Sequence, residues 1–169
     1  MFKSSFIIRL FFGFVLSGLI LVQELSAQVT PVNKIPEFTF STLNGQSFTR
    51  NELKKNKKLV IVFFDITCDH CQIELAAIGD HINEFKNAEF YLVSLNQVAG
   101  IRTFMSTYGR KLNGRSNVTV LRDFQNQFIT RFTPVQYPAL YVFGQDFRLI
   151  KYFGQNSNVK EIISTVNKI

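Results

Sequence analysis

The stretch FFDITCDHCQIELAAI, residues 63–78, holds both cysteines of the 169-residue chain. Cys68 and Cys71 stand three positions apart, between an apolar run and a run with helical spacing. Such a pair could be a structural staple, a metal clip or a dithiol that cycles with its own disulfide. A staple here closes a ring so short that its loop-closure entropy is small. With 46% hydrophobic residues the chain can build a core without one. A metal clip wants about four ligands. The candidates beyond the two thiols are His70 and His81, the only histidines, and there is no second CxxC. The cycling pair fits best. A cysteine where a strand gives way to a helix meets the unpaired N–H groups and partial positive charge of the helix start, which stabilise a thiolate. Three residues are nearly one helical turn, so Cys71 lies beneath Cys68 and can resolve a mixed disulfide. CxxC between strand and helix is therefore read as a redox motif.

Those placements depend on the flanking elements. KLVIVFFDI (58–66) is a near-continuous apolar run and reads as a strand buried on both faces. CQIELAAIGDHINEF (71–85) spaces Leu75, Ile78, Ile82 and Phe85 as an amphipathic helix. Upstream, IPEFTFSTLNGQSFT (35–49) alternates about Asn44-Gly45, a hairpin signal. Downstream come a strand at 88–95, a helix at 98–109 ended by Gly109, and a strand at 117–123. Asp123 is placed to cap a helical run at 124–132. Strands at 137–144 and 147–154 are joined too tightly for a crossover and must be antiparallel, and a helix at 156–169 closes the chain. The alternation predicts one α/β domain with helices on both faces of a sheet.

The N-terminus reads differently. Lys3 and Arg9 precede an apolar stretch from Leu10 to Val22, followed by Leu25-Ser26-Ala27. A positive start, a short apolar stretch and small residues make a secretory signal peptide over 1–27. Residues 28–34 then form a linker and 35–169 the domain. The alternative is an uncleaved N-terminal anchor, for which the apolar stretch is short. The expected location is periplasmic or otherwise extracytoplasmic, where disulfides persist. The net charge of +7 comes partly from RNELKKNKK (50–58) and GRKLNGR (109–115), which read as solvated surface. No aromatic-basic motif points to nucleic acid, and no such partner is expected.

In these residues the chain resembles the thioredoxin fold, and more closely the exported thiol–disulfide oxidoreductases of the TlpA/ResA type. IPEFTFSTLNGQSFTRNEL is similar to that family's added N-terminal hairpin, LVIVFFDITCDHC to its central strand and active site, QYPALYVF to its cis-proline segment, and GQDFRLIKYFG to its closing hairpin. The resemblance implies a mixed sheet flanked by helices. It implies Cys68 as nucleophile and Cys71 as resolving thiol, with their disulfide as the only redox group and no metal. It gives Pro138 a cis bond after Tyr137, facing the cysteines, and gives the Tyr137 backbone to a bound peptide. It makes Glu74 a helper in moving the Cys71 proton, where the residue by itself reads as a solvated helix carboxylate. The implied partners are exported cysteine-containing proteins and a membrane thiol–disulfide electron donor, with reduction of client disulfides favoured over oxidation.

The departures are specific. Thr67 replaces the usual Trp before the first cysteine, and Asp69-His70 fills the space between the pair. A protonated His70 would favour the Cys68 thiolate and Asp69 would oppose it. The buried Asp that thioredoxin keeps six residues before its first cysteine is Val62 here, while Asp65 lies in a different register. A peroxiredoxin would resemble PxxxTxxC, but positions 61 and 65 are Ile61 and Asp65. Peroxidase and non-catalytic or metal-binding modules on the same fold remain the alternatives to exchange.

Overall fold

Six consecutive residues, Leu59 to Phe64, are at most 1% exposed. Their alternate side chains enter different cores. Val60, Val62 and Phe64 join one cluster, and Leu59, Ile61 and Phe63 the other. A strand buried on both faces must lie mid-sheet between two helical or looped layers. The computed structural model describes residues 30–168 and has this arrangement. The expected signal peptide at 1–27 lies outside the described residues.

Seven strands form the sheet: β1 (Thr39–Thr42), β2 (Ser47–Thr49), β3 (Lys58–Phe63), β4 (Ala88–Ser94), β5 (Val118–Arg122), β6 (Ala139–Phe143) and β7 (Leu149–Phe153). The helices are α1 (Asp69–Asp80), α2 (Val98–Thr107), α3 (Gln127–Phe132) and α4 (Val159–Asn167). The strand order is β2-β1-β5-β4-β3-β6-β7. β3, β4 and β5 run parallel. β1, β2, β6 and β7 pair antiparallel, so the sheet is mixed and the thioredoxin-like class expected from the sequence is the one observed. The alternating α/β pattern left the sense of β6 open. The chain passes through α3 and enters beside β3 in the opposite sense, with Phe63 opposite Ala139.

One face carries α1, α2 and α4, whose Leu75, Ile78, Phe104 and Ile162 meet Val60 and Val62 of β3. The other carries α3 and the N-terminal segment, and it is strongly aromatic. Phe132 stacks on Phe128 at 4.2 Å, Phe128 on Phe63 at 4.2 Å, and Phe63 on Tyr137 at 4.9 Å. The column runs from the C-terminal end of α3 to the loop before β6. Residues 32–34, within the stretch read as a linker, lie against this layer. Val32 N–H donates to the Phe132 carbonyl, and the Asn33 carbonyl accepts from Leu149 N–H at 2.8 Å.

Several boundaries differ from the sequence expectation by two or more residues, among them the start of the closing helix at Val159 and of β6 and β7 at Ala139 and Leu149, and two others are informative. The run expected to be helical to Phe85 leaves the α-helix after Asp80 and continues as a 3-10 turn at Ile82–Glu84. Ile82 and Phe85 are still buried, so the apolar spacing marked burial beyond the end of the helix. The run expected to be helical from 124 begins at Gln127. Asp123, fully buried, accepts N–H bonds from Gln125 (3.2 Å) and Phe128 (2.7 Å). Its carboxylate thus satisfies one first-turn donor, Phe128 N–H, from three residues before the cap position, which Asn126 occupies at φ 57°. The hairpin turn is as read, with Gly45 at φ +84° between β1 and β2.

We predict that Phe128→Ala, which empties the middle of the aromatic column, destabilises the fold by about 3–5 kcal/mol in urea unfolding. A loss below about 1 kcal/mol would show that the column is not a principal support.

Candidate active site

At the end of β3 the chain turns through Phe64–Thr67 and starts α1. Cys68 is the N-cap of that helix, with an extended backbone, and its Sγ accepts the Cys71 N–H at 3.3 Å. Its carbonyl takes the Cys71 and Gln72 N–H groups at 3.0 and 3.2 Å. A sulfur at an N-cap faces backbone donors that an anionic sulfur can use. Cys68 is half-buried and Cys71 fully buried, and both are free thiols in the structure. Burial pushes the Cys71 thiol far above its ordinary value, and contact with Cys68 pushes it further. A hydrogen bond from the Asp65 backbone opposes this, while the charge of the Asp65 carboxylate adds to it. The two thiols therefore have different accessibility and different environments, as sequential chemistry requires.

The turn that presents Cys68 is organised by Asp65. Its Oδ1 accepts the Thr67 N–H at 2.8 Å and the Thr67 hydroxyl at 2.6 Å, and its Oδ2 accepts Asn96 Nδ2–H at 3.3 Å. Its backbone carbonyl accepts the Cys68 N–H at 3.3 Å. Asn96 is held in turn, with its Oδ1 accepting from Ile66 N–H (3.2 Å) and from the hydroxyl of buried Ser94 (2.7 Å). Burial works against the Asp65 anion, but the donors from Thr67 and Asn96 prevail and hold its carboxyl below the usual range. The sequence marked Asp65 as out of register with the thioredoxin aspartate and as standing where a peroxiredoxin has Thr. Its partner Asn96 follows β4, far along the chain, and no local pattern links the two.

The other sequence-predicted residues divide in two. Tyr137 and Pro138 reach the site. Their peptide bond is cis, Pro138 is buried, and the loop enters β6 where Ala139 pairs with Phe63. Burial raises the Tyr137 phenol, and so do the charges of Asp65, Cys71 and Cys68. Asp69 and His70 are exposed on the first turn of α1, on the solvent side of the pair. His81 stands at the far end of α1, its Nδ1 2.6 Å from Glu84 Oε1. Among the described residues no group of three or more His, Cys, Asp and Glu side chains is arranged to hold a metal ion.

For Glu74 the structure removes one of the two readings. Glu74 is not a solvated helix carboxylate. It is 7% exposed, and Oε1 has no hydrogen-bond partner. It shares the buried face of α1 with Cys71, one turn away. Desolvation pushes its carboxyl up to about 7.

A model described as the AhpC/TSA family matches residues 31–152, and the chain belongs to that family. Its thioredoxin-like fold is shared with several solved structures. One is dsbF of MTB, at 23% identity and TM-score 0.64, covering 76% of this chain and 92% of that one. Another is a secreted Mycobacterium tuberculosis disulfide oxidoreductase homologous to E. coli DsbE, at 22% identity and TM-score 0.63, covering 76% and 93%. A third is a peroxiredoxin-like protein from Aquifex aeolicus, at 14% identity and TM-score 0.65, covering 81% and 85%. Comparison with curated proteins found no sequence match.

The buried Glu74 has a measurable pH signature. Its folded-state value lies above its unfolded one, so folding favours the protonated form. The cost of the buried anion is absent at low pH and grows as pH rises through about 7. We predict that Glu74→Gln matches the parent in stability near pH 4 and exceeds it by about 2 kcal/mol above pH 8, read by urea unfolding across pH. Equal stability throughout that range would place Glu74 in water.

Proposed function

We propose that this protein is an extracytoplasmic thiol–disulfide oxidoreductase that reduces disulfides in exported proteins through Cys68 and Cys71. The observation that carries the reading is the half-buried Cys68 at the N-cap of α1, its sulfur accepting the N–H of a fully buried Cys71. The signal-peptide pattern at 1–27 and the secreted disulfide oxidoreductase among the structural relatives support the location.

In the proposed cycle the Cys68 thiolate attacks one sulfur of a client disulfide. A Cys68–client S–S bond forms, and the other client sulfur leaves as a thiolate that takes up a proton. Cys71 then loses its proton and attacks Cys68 Sγ, breaking the mixed disulfide and releasing the second client thiol. Two electrons pass to the client and the protein ends with a Cys68–Cys71 disulfide. A protein dithiol, proposed to be presented by a membrane donor, returns the two electrons. Glu74 is the proposed acceptor of the Cys71 proton. It lies one turn along the same buried face, and its carboxyl near 7 suits exchange of a proton at neutral pH. Pro138 and the Tyr137 backbone line the proposed client groove beside the pair. Asp69 and His70 act from solvent, where opposite charges are strongly screened.

Membership of the AhpC/TSA family keeps a peroxidase as the rival use of Cys68. The position of the peroxidatic Thr holds Asp65, whose oxygens are already engaged by Thr67 and Asn96.

We predict that reduced Cys71→Ala accumulates Cys68-linked mixed disulfides with disulfide-bonded clients, while Cys68→Ser accumulates none. Non-reducing gels and mass spectrometry of the trapped species would check this. Thiol counts across dithiol buffers of set potential should give one reversible two-electron transition, at about −250 mV or lower for a reductant. Peroxide consumption outpacing disulfide exchange would replace this reading with a peroxidase. No transition and no trapping would remove catalysis by the pair.

A further inference from the structure

The segment between α3 and β6 reaches the cysteine pair with little backbone support of its own. Pro134 and Pro138 carry no N–H. Among the described residues the backbone of 134–137 has one hydrogen-bonding partner in the rest of the protein, the side chain of Tyr152 on β7. The Tyr152 hydroxyl accepts the Val135 N–H at 3.2 Å, and the Gln136 N–H is directed to the same oxygen. Among the described residues nothing pairs with the N–H or the carbonyl of Tyr137. A backbone donor and acceptor without an internal partner must be met by water or by a bound chain.

Tyr152 is itself firmly held. It stands opposite Tyr141 of β6 in the sheet, and the two rings meet edge-on at 5.0 Å. Tyr141 is fully buried, and its hydroxyl donates to the Phe132 carbonyl at the end of α3 at 2.9 Å. Two tyrosine hydroxyls on neighbouring strands thus hold the segment, Tyr141 where α3 ends and Tyr152 where the chain approaches the cis bond. Packing against Tyr141 needs only the ring of Tyr152. Its hydroxyl is turned to the loop. A second contact lies just past β7, where the Gln136 side chain crosses Gly154, so that a Cβ on Gly154 would meet the Gln136 amide nitrogen.

We propose that Tyr152 is a positioning residue of the exchange reaction, whose hydroxyl holds the 134–137 backbone so that the unpartnered N–H and carbonyl of Tyr137 can pair with an extended client. The inference rests on the reading of Tyr137 and Pro138 as the client groove. Pairing is confined to Tyr137, because the Val135 N–H is already taken and Pro138 has none. Main-chain pairing of this kind accepts any extended sequence flanking a client cysteine. Loss of the hydroxyl frees the Val135 N–H and lets the Tyr137 backbone turn away. Clients that use the backbone then bind less well, and small disulfides that do not use it react as before.

The experiment compares two probes with the same leaving group. One is an extended synthetic peptide whose single cysteine carries thionitrobenzoate in disulfide linkage. The other is N-acetylcysteine amide carrying the same group. With either, the Cys68 thiolate breaks the probe disulfide and forms a mixed disulfide, which Cys71 resolves. The protein ends as its disulfide, and thionitrobenzoate and the cysteine thiol are released. Reduced protein is used in excess in stopped flow, and the rate is followed against its concentration. The parent should half-saturate at lower concentration with the peptide than with the amide. In Tyr152→Phe, which keeps the ring, half-saturation with the peptide should rise about three- to tenfold, the worth of one hydrogen bond. The plateau rate with the peptide and the rate with the amide should change less than about twofold, since neither depends on that bond. Amide exchange followed by NMR gives a second reading. The Val135 amide should be protected in the parent and exchange at least about tenfold faster in Tyr152→Phe, with buried Val62 unchanged.

An unprotected Val135 amide in the parent, or a Tyr152→Phe protein with the parent's half-saturation for the peptide, overturns the role of Tyr152. Equal losses on both probes would mark general damage to the fold and overturn it as well. A parent that reacts alike with the two probes overturns the groove at Tyr137. A parent that releases no thionitrobenzoate from either overturns the exchange reading itself.

Discussion

Burial of β3 on both faces is the constraint on which the rest of this molecule depends. A strand with no polar face cannot sit at a sheet edge or against water. It requires a partner strand on each side, here parallel β4 and antiparallel β6, and a layer above and below. Once those are in place, the chain emerging from its end has one place to go, the turn at Phe64–Thr67. That turn has polar backbone groups to satisfy at the rim of two apolar cores. Asp65 satisfies several of them and in doing so sets where α1 begins. The position of Cys68 as N-cap follows from the strand end and the turn, and the burial of Cys71 from the first turn of the helix packing down on β3.

The two faces of the sheet contribute differently to the site. The helical face supplies the depth in which Cys71 and Glu74 are shielded from water. The aromatic face supplies rigidity. Through Phe132, Phe128 and Phe63 it fixes Tyr137, so one wall of the site is held by ring stacking that reaches back into α3. The cysteines are thus gripped from one layer and the cis-proline loop from the other, and β3 keeps the two in register.

Much of this was legible in the sequence. The apolar run, the CxxC and the helical spacing after it are local signals, and each local preference agreed with the fold. The burial of Glu74 was legible too, though easily missed. Cys71, Glu74, Leu75 and Ile78 follow the 0, +3, +4, +7 spacing of a buried stripe, and a glutamate in that stripe is desolvated whatever its charge suggests. The antiparallel sense of β6 and the partnership of Asp65 with Asn96 were not legible. Both depend on which strands become neighbours, and that is decided by the whole sheet. The delayed start of α3 lies between these cases. Asp123 was recognisable as a helix-capping residue, but a cap acting from three residues before the formal position has no signature in spacing alone.

The inventory of sulfur in this chain bears on how it survives oxidation. Two cysteines permit a single intramolecular pairing, and their proximity in the chain makes that pairing the one the native fold can also accommodate. A chain with four would face three possible arrangements. Wherever this polypeptide meets an oxidant before it has folded, scrambling within the molecule is combinatorially impossible. The bond it forms leaves the strands and helices free to assemble around it. The chain needs no exchange catalyst to sort its bridges.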